Sequence, residues 1–77
     1  MAWTDKPTDA QIGCIFRWLS WRLPLVEATE ASNWLRKNAT RREAFNEMGR
    51  IKKLYESHNL NRETAFQSDV WNGYLER

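Results

Sequence analysis

Two helix-start motifs constrain the fold of this chain more than any other feature of its sequence. Thr8 is followed three residues later by Gln11, and Thr40 is followed three residues later by Glu43. In such a capping box the threonine hydroxyl accepts a hydrogen bond from the third helical amide, and the Gln or Glu side chain bonds back to the threonine amide. Each motif therefore predicts the first turn of an α-helix.

The residues after Thr8 repeat with the period of a helix. Apolar side chains recur three and four positions apart as far as Pro24, which cannot continue a helical hydrogen-bond ladder. We therefore expect a first helix from Asp9 to about Leu23. Its core-facing stripe would comprise Ile12, Ile15, Phe16, Leu19 and Leu23.

Two further helices are predicted in the middle of the chain. The second runs from about Leu25 to Lys37, with Asn38 as a left-handed residue that ends it. The third begins after Thr40 and continues to about Ser57, because its apolar pattern is the strongest in the chain. We assign the buried face of the third helix to Ala44, Phe45, Met48, Ile51 and Tyr55. Truncation of a buried Phe45 to alanine would then cost about 3–5 kcal/mol.

The last part of the chain is predicted to fold back onto these helices. His58 and Asn59 break the third pattern, Asn61 can cap a short fourth helix through Phe66, and Gly73 argues against a long terminal helix. The predicted fold is all-α: a compact bundle of three main helices with a short fourth helix and an aromatic C-terminal tail. Its core would comprise Ile12, Ile15, Phe16, Leu19, Leu35, Phe45, Met48, Ile51 and Tyr55.

Length and composition indicate a single domain that covers residues 1–77. A chain of this length buries only about 60% of its unfolded surface, so its ten aromatic rings must supply much of the core. One cysteine excludes an internal disulfide and is typical of a reducing compartment. We see neither an apolar run of membrane-spanning length nor a signal-peptide pattern. A cytoplasmic protein without a membrane partner is therefore expected.

Nucleophilic catalysis is not indicated by these residues. The only histidine, His58, and the only cysteine, Cys14, are distant in sequence, and nothing brings them together as a base and a nucleophile. We expect His58 to lie at a helix C-terminus and Cys14 to pack as a small apolar residue.

Acid–base, metal and phosphate chemistry are equally unsupported. The pairs Glu27/Glu30 and Glu43/Glu47 are assigned to the solvent side of their helices, where Glu47 can meet Arg50. The chain lacks enough cysteine and histidine for a zinc site, and its three glycines are too scattered for a phosphate loop. We predict that the protein is not an enzyme and has no metal or cofactor.

One candidate surface lies on the first helix. Cys14, Trp18 and Trp21 lie opposite its core-facing stripe, with Arg17 beside them. A second apolar side either packs within the fold, here against the second helix or the tail, or faces a partner. Because tryptophan and arginine are frequent interface anchors, Arg17, Trp18 and Trp21 are candidate partner-binding residues. A homodimer through the same side is compatible with this assignment.

Another candidate surface lies on the third helix, within a basic segment. Residues 36–53 contain seven basic and two acidic side chains, although the whole chain has a net charge of only +2. The residues that share a face away from the predicted core, with Arg50 on its flank, are Arg42, Asn46, Gly49 and Lys53. Arg42 and Asn46 are side-chain types that read base edges, and the second and third helices have a helix-turn-helix outline. The alternative is an ordinary solvated helix face.

The residues at the N-termini of the predicted helices also resemble those of a known group of proteins. Thr8-x-x-Gln11, Thr40-x-x-Glu43-Ala44 and Asn61-Arg62-Glu63 resemble segments of small helical proteins carried by bacterial prophages and mobile elements, over most of the chain. Such proteins are often accessory factors, including inhibitors of host defence systems. The resemblance implies a non-catalytic phage-type inhibitor that binds a larger protein complex. The alternative is a helix-turn-helix-like nucleic-acid-binding protein that uses residues 41–57.

Overall fold

A computed structural model describes residues 2–76 of the chain, and every regular element in that range is helical. The four α-helices are α1 (Asp9–Ser20), α2 (Leu25–Asn38), α3 (Arg41–Glu56) and α4 (Arg62–Ala65). Short 3-10 turns at Ala2–Thr4 and Asp69–Trp71 flank them. The structure thus confirms the predicted fold class, with three main helices and a short fourth one.

Local hydrogen bonds fix the points at which the helices begin. The Thr8 hydroxyl accepts from the Gln11 amide at 3.1 Å, and the Gln11 side chain accepts from the Thr8 amide at 3.0 Å. Thr40 and Glu43 form the same reciprocal pair at 3.2 and 2.8 Å. Asn61 accepts from two amides of the first turn of α4. All three predicted helix starts are confirmed.

The ends of the first two helices differ from the prediction. α1 stops at Ser20 and not near Leu23. The Arg22 and Leu23 amides both donate to the Leu19 carbonyl, at 3.1 and 2.8 Å, so an irregular turn ends the helix before Pro24. α2 includes Asn38, whose side-chain amide donates to the Trp34 carbonyl at 3.0 Å. The chain leaves α2 in an extended conformation at Ala39, so the prediction of a left-handed Asn38 was wrong.

A left-handed helix end does occur after α3. His58 has a φ of 61°, and its amide donates to the Tyr55 carbonyl at 3.1 Å. The next amide, that of Asn59, donates to the Leu54 carbonyl at 2.8 Å. These two bonds form a Schellman arrangement, which reverses the chain sharply toward α4. His58 therefore lies at a helix C-terminus as predicted, in a position that usually holds glycine.

The core is built around α1. This helix contacts both α2 and α3, whereas α2 and α3 make few contacts with each other. Of the predicted core residues, those fully buried are Ile12, Ile15, Leu19, Leu35 and Ile51. Phe16, Met48 and Tyr55 are partly buried and pack against them.

Phe45 is the one predicted core residue that lies on the surface. Its side chain is 56% exposed, so the assignment of Phe45 to the core was wrong. The buried face of α3 is centred on Ala44, Glu47 and Ile51. At about 100° per residue, Phe45 points well away from that centre. The predicted buried face included Phe45 because the apolar pattern did not indicate that Glu47 is one of the buried residues of α3.

Glu47 is buried, and its assignment to the solvent side was also wrong. Its side chain is only 4% exposed, and it pairs with Arg50 at 2.6 Å. The carboxylate also accepts from the Trp71 indole at 2.7 Å and from the Ser68 hydroxyl at 2.7 Å. Arg50 in turn donates to the carbonyls of Thr64, at 2.8 Å, and Ala65. The predicted Glu47–Arg50 pair therefore forms, but it joins α3 to the C-terminal part of the chain.

Aromatic rings complete the attachment of that C-terminal part. Phe66, Trp71 and Tyr74 are buried, with ring centroids 4.7 to 5.4 Å apart in tilted or edge-to-face geometry. The Trp34 indole of α2 donates to the Val70 carbonyl at 2.9 Å. The tail is thus folded onto the body of the protein, as the sequence predicted.

Loss of the Glu47 carboxylate should destabilise this protein strongly. Glu47→Ala leaves the Arg50 guanidinium without its counter-ion and the Trp71 indole without its acceptor. We expect the free energy of unfolding to fall by about 3 kcal/mol, the lower end for a broken buried pair, because Arg50 keeps partial exposure and its bonds to two carbonyls. Urea denaturation followed by tryptophan fluorescence measures it. Glu56→Ala, an exposed acid at the end of the same helix, is the control. Equal midpoints for the two variants would contradict the structural role of Glu47.

Candidate functional site

Three aromatic side chains are exposed on the side of the molecule formed by the N-terminal turn, α1 and α3. Trp3 is 42% exposed, Trp21 52% and Phe45 56%. The Trp3 and Phe45 rings meet edge to face at 5.6 Å, and Trp21 packs on Tyr55 of α3 at 5.3 Å. Isolated exposed apolar residues need no explanation, but these rings form two contacting pairs, Trp3 with Phe45 and Trp21 with Tyr55.

Two shallow depressions connect the Trp3 and Phe45 rings to Trp18. The larger, of about 360 Å³, is lined by Trp18, Phe45, Asn46, Met48, Gly49 and Lys52. The smaller, of about 170 Å³, shares Phe45 and Asn46 and adds Trp3 and Arg42. Tyr55 and Trp21 lie about one helical turn beyond Lys52 and Trp18, so they continue the same surface. We call it the aromatic–basic face; its defining residues are Trp3, Trp18, Trp21, Arg42, Phe45, Lys52 and Tyr55.

The charges around this face are basic. Lys52 lines the larger depression and Arg42 the smaller one. The Arg22 guanidinium lies 4.6 Å from the centre of the Tyr55 ring, in cation–π contact with it. Among the described residues that line the two depressions, none is acidic. The side chains that line the two depressions therefore combine apolar rings with basic groups.

Of the predicted residues of the first helix, Trp18 and Trp21 lie at this face. Trp18 is partly buried against the core and also lines the larger depression. Trp21 and Arg17 are exposed, and Cys14 is partly buried. The element that packs beside Trp18 and Trp21 is α3, not the second helix or the tail that we considered from the sequence.

The predicted residues of the third helix divide into two groups. Arg42, Asn46 and Lys53 are exposed, and the first two line the depressions. Arg50 is separate from them, because its guanidinium is bound by Glu47 and by the Thr64 and Ala65 carbonyls of α4. The structure thus gives Arg50 an internal role and leaves it outside the candidate surface.

The N-terminus of α3 is less available to phosphate than its sequence suggested. The Arg41 amide donates to the Asp5 carbonyl at 2.7 Å, and the Glu43 amide donates to the Thr40 hydroxyl. The Glu43 carboxylate also occupies this helix end. Two of the amides that could have bound an anion are therefore used within the fold. In addition, α3 is held mainly by α1 and not by α2, unlike the paired helices implied by a helix-turn-helix outline.

Sequence reasoning missed three contributors to the face. Trp3 precedes the first periodic segment and so carried no pattern, while Phe45 was assigned to the core. Tyr55 was also placed in the core, although its ring reaches the surface between Trp21 and Arg22. A heavy load of tryptophan in so short a chain was the available signal that some rings must remain exposed.

Comparisons with other proteins add nothing to this description of the site. Searches of protein-family models, curated proteins and solved structures found no match to the chain. The resemblance to prophage proteins consequently stays a prediction. Within the described residues, no cluster of three or more histidine, cysteine or acidic side chains could hold a metal ion. None of the helices in that part of the chain has the length and apolarity needed to cross a bilayer.

Truncation of Phe45 should now cost little stability. Phe45→Ala removes an exposed ring and its contact with Trp3, for which we expect a loss of about 1 kcal/mol. Ile51→Ala, which empties a buried site on the same helix, should cost about 2–5 kcal/mol. Thermal unfolding of both variants against the parent makes the comparison. Equal losses would mean that Phe45 belongs to the core after all.

Proposed function

We propose that this chain is a non-catalytic binding protein that docks on a larger protein complex through its aromatic–basic face. The observation that carries the proposal is the exposure of Phe45 in contact with Trp3 and beside Trp18. Interfaces concentrate aromatic anchors at their centre and polar or charged groups at their rim. Arg42 and Lys52 supply such a rim here.

The biological setting that we propose is that of a phage-type inhibitor in the cytoplasm of a bacterial host. The prophage-like helix openings at Thr8 and Thr40 and the small size of the chain support it. A single cysteine fits a reducing compartment. An inhibitor of this size can block a larger complex, for instance one of host defence, by covering a surface that the complex needs.

Nucleic-acid binding through residues 41–57 remains the second candidate. It is supported by the exposure of Arg42, Asn46 and Lys53 on one side of α3. Against it, α3 packs mainly on α1 and not on α2, unlike the paired helices of a helix-turn-helix unit. The occupied amides at the start of α3 also favour a protein partner.

A pair of double variants tests the proposal. Phe45→Ser with Trp21→Ser removes exposed rings from the face, and Val26→Ser with Leu75→Ser removes exposed aliphatic side chains elsewhere. Proteins that the parent captures from nuclease-treated host lysate are purified, and their affinity for each variant is measured. We expect the first variant to bind at least about tenfold more weakly and the second to bind like the parent.

Several outcomes would overturn or redirect this proposal. Equal affinity of the two double variants would exclude the aromatic–basic face as the binding surface. A gel shift of DNA or RNA at low salt that weakens steeply with added salt would favour nucleic acid as the partner. If the parent is dimeric and the Phe45/Trp21 variant is monomeric, the face joins two copies of this chain. Unchanged circular dichroism of both variants is required for each interpretation.

A further inference from the structure

Gly49, like Gly13 of α1, lies in the interior of a helix. It lies in the interior of α3, where glycine is the least favourable residue except proline. A Cβ atom built at this position would meet nothing within 4 Å, so no contact inside the fold requires its absence. The helix thus contains a destabilising residue that the packing of this chain does not explain.

The residues around Gly49 indicate which kind of group could occupy the space that a side chain at this position would fill. Gly49 forms part of the larger depression, whose apolar walls are Trp18, Phe45 and Met48. The volume of about 360 Å³ lies within the usual range for binding pockets of roughly 300–1,000 Å³. Methionine adapts its shape to an incoming group, and the indole and phenyl rings supply rigid walls.

We propose that this depression receives one bulky apolar side chain of the protein partner, and that carboxylates flank that side chain in the partner. This inference rests on the proposed function, because it concerns a partner of the aromatic–basic face. An apolar anchor that enters a pocket and is surrounded by polar contacts is the usual form of an interface hot spot. Gly49 allows the anchor to reach the backbone of α3.

Charge complementarity identifies the flanking groups. Lys52 lines the depression, Arg42 lines the adjoining one, and Lys53 is exposed on the next position of α3. The partner would therefore place aspartate or glutamate beside its apolar anchor, because complementary charge steers association and like charge opposes it. Asn46 lies on the border of both depressions and can donate to a partner carbonyl.

The chain provides a matched control for Gly49. Gly13 is an exposed glycine within α1, and a Cβ atom there also meets nothing within 4 Å. Gly13 lines neither of the two depressions. Gly13→Leu and Gly49→Leu therefore make the same helix-favouring change at two open sites, and only the second fills the proposed pocket. Each should raise Tm by about 3–6 °C, since leucine is the better helix former by somewhat less than about 1 kcal/mol.

The test uses peptides selected from a random phage-displayed library against the immobilised parent protein. Synthetic copies of the selected peptides are titrated by fluorescence anisotropy. We expect a bulky apolar residue next to Asp or Glu in the selected sequences. Gly49→Leu should weaken their binding at least about tenfold, while Gly13→Leu changes it less than about twofold. Replacement of the flanking acids by lysine should weaken binding to the parent.

The results that would overturn the inference are specific. If every selected peptide binds Gly49→Leu and Gly13→Leu equally well, the proposed pocket is excluded. If the selected peptides are basic, the proposed acidic partner is excluded. If the peptides lose affinity for the Phe45/Trp21 variant but bind Gly49→Leu normally, the proposed function stands and the pocket does not. If neither variant affects them, both fail. Binding of a fluorescent oligothymidylate that is lost in Gly49→Leu would replace the protein partner with nucleic acid.

Discussion

The buried carboxylate of Glu47 is the interaction on which the remainder of this structure depends. A charge in the interior is tolerated only when it is paired and fully hydrogen-bonded. Arg50, Ser68 and Trp71 supply donors to its two oxygens at 2.6 to 3.0 Å. Two of these four contacts, those from Ser68 and Trp71, would be lost without the C-terminal segment. The two contacts with Arg50 would then form in water, where an ion pair gives little net gain. The network therefore specifies where the tail attaches, in addition to stabilising it.

The same network determines which side of α3 faces outward. With Glu47 and Ile51 turned inward, Phe45 lies on the opposite flank of the helix, where Trp3 covers it only in part. The aromatic–basic face is thus a consequence of burying a glutamate in place of a phenylalanine. A chain with few residues to cover its surface leaves these rings exposed, and the positive groups beside them give the exposed surface a definite electrostatic character.

The candidate site could be predicted only in part from the sequence. Trp18, Trp21, Arg42 and Asn46 were identified because helical spacing places them away from the predicted core. Arg50 satisfied the same criterion but is bound by Glu47 and two carbonyls, which spacing on one helix cannot reveal. Phe45 was misassigned to the core because its apolar side chain was expected to be buried, whereas Glu47 is the residue of α3 that is buried.

The sequence by itself determined the elements whose causes are local. Capping boxes at Thr8 and Thr40 and the Asn61 cap act over three residues, so the helix starts and the all-α class follow from the order of residues alone. The buried stripe of α1 also follows from its helical period, but the tertiary structure alone decided which face of α3 is buried. That choice depends on contacts between distant residues, such as Glu47 with Trp71 and Trp18 with α3, and no short-range pattern encodes it. The exposed surface, and with it the proposed function, is therefore a property of the assembled fold.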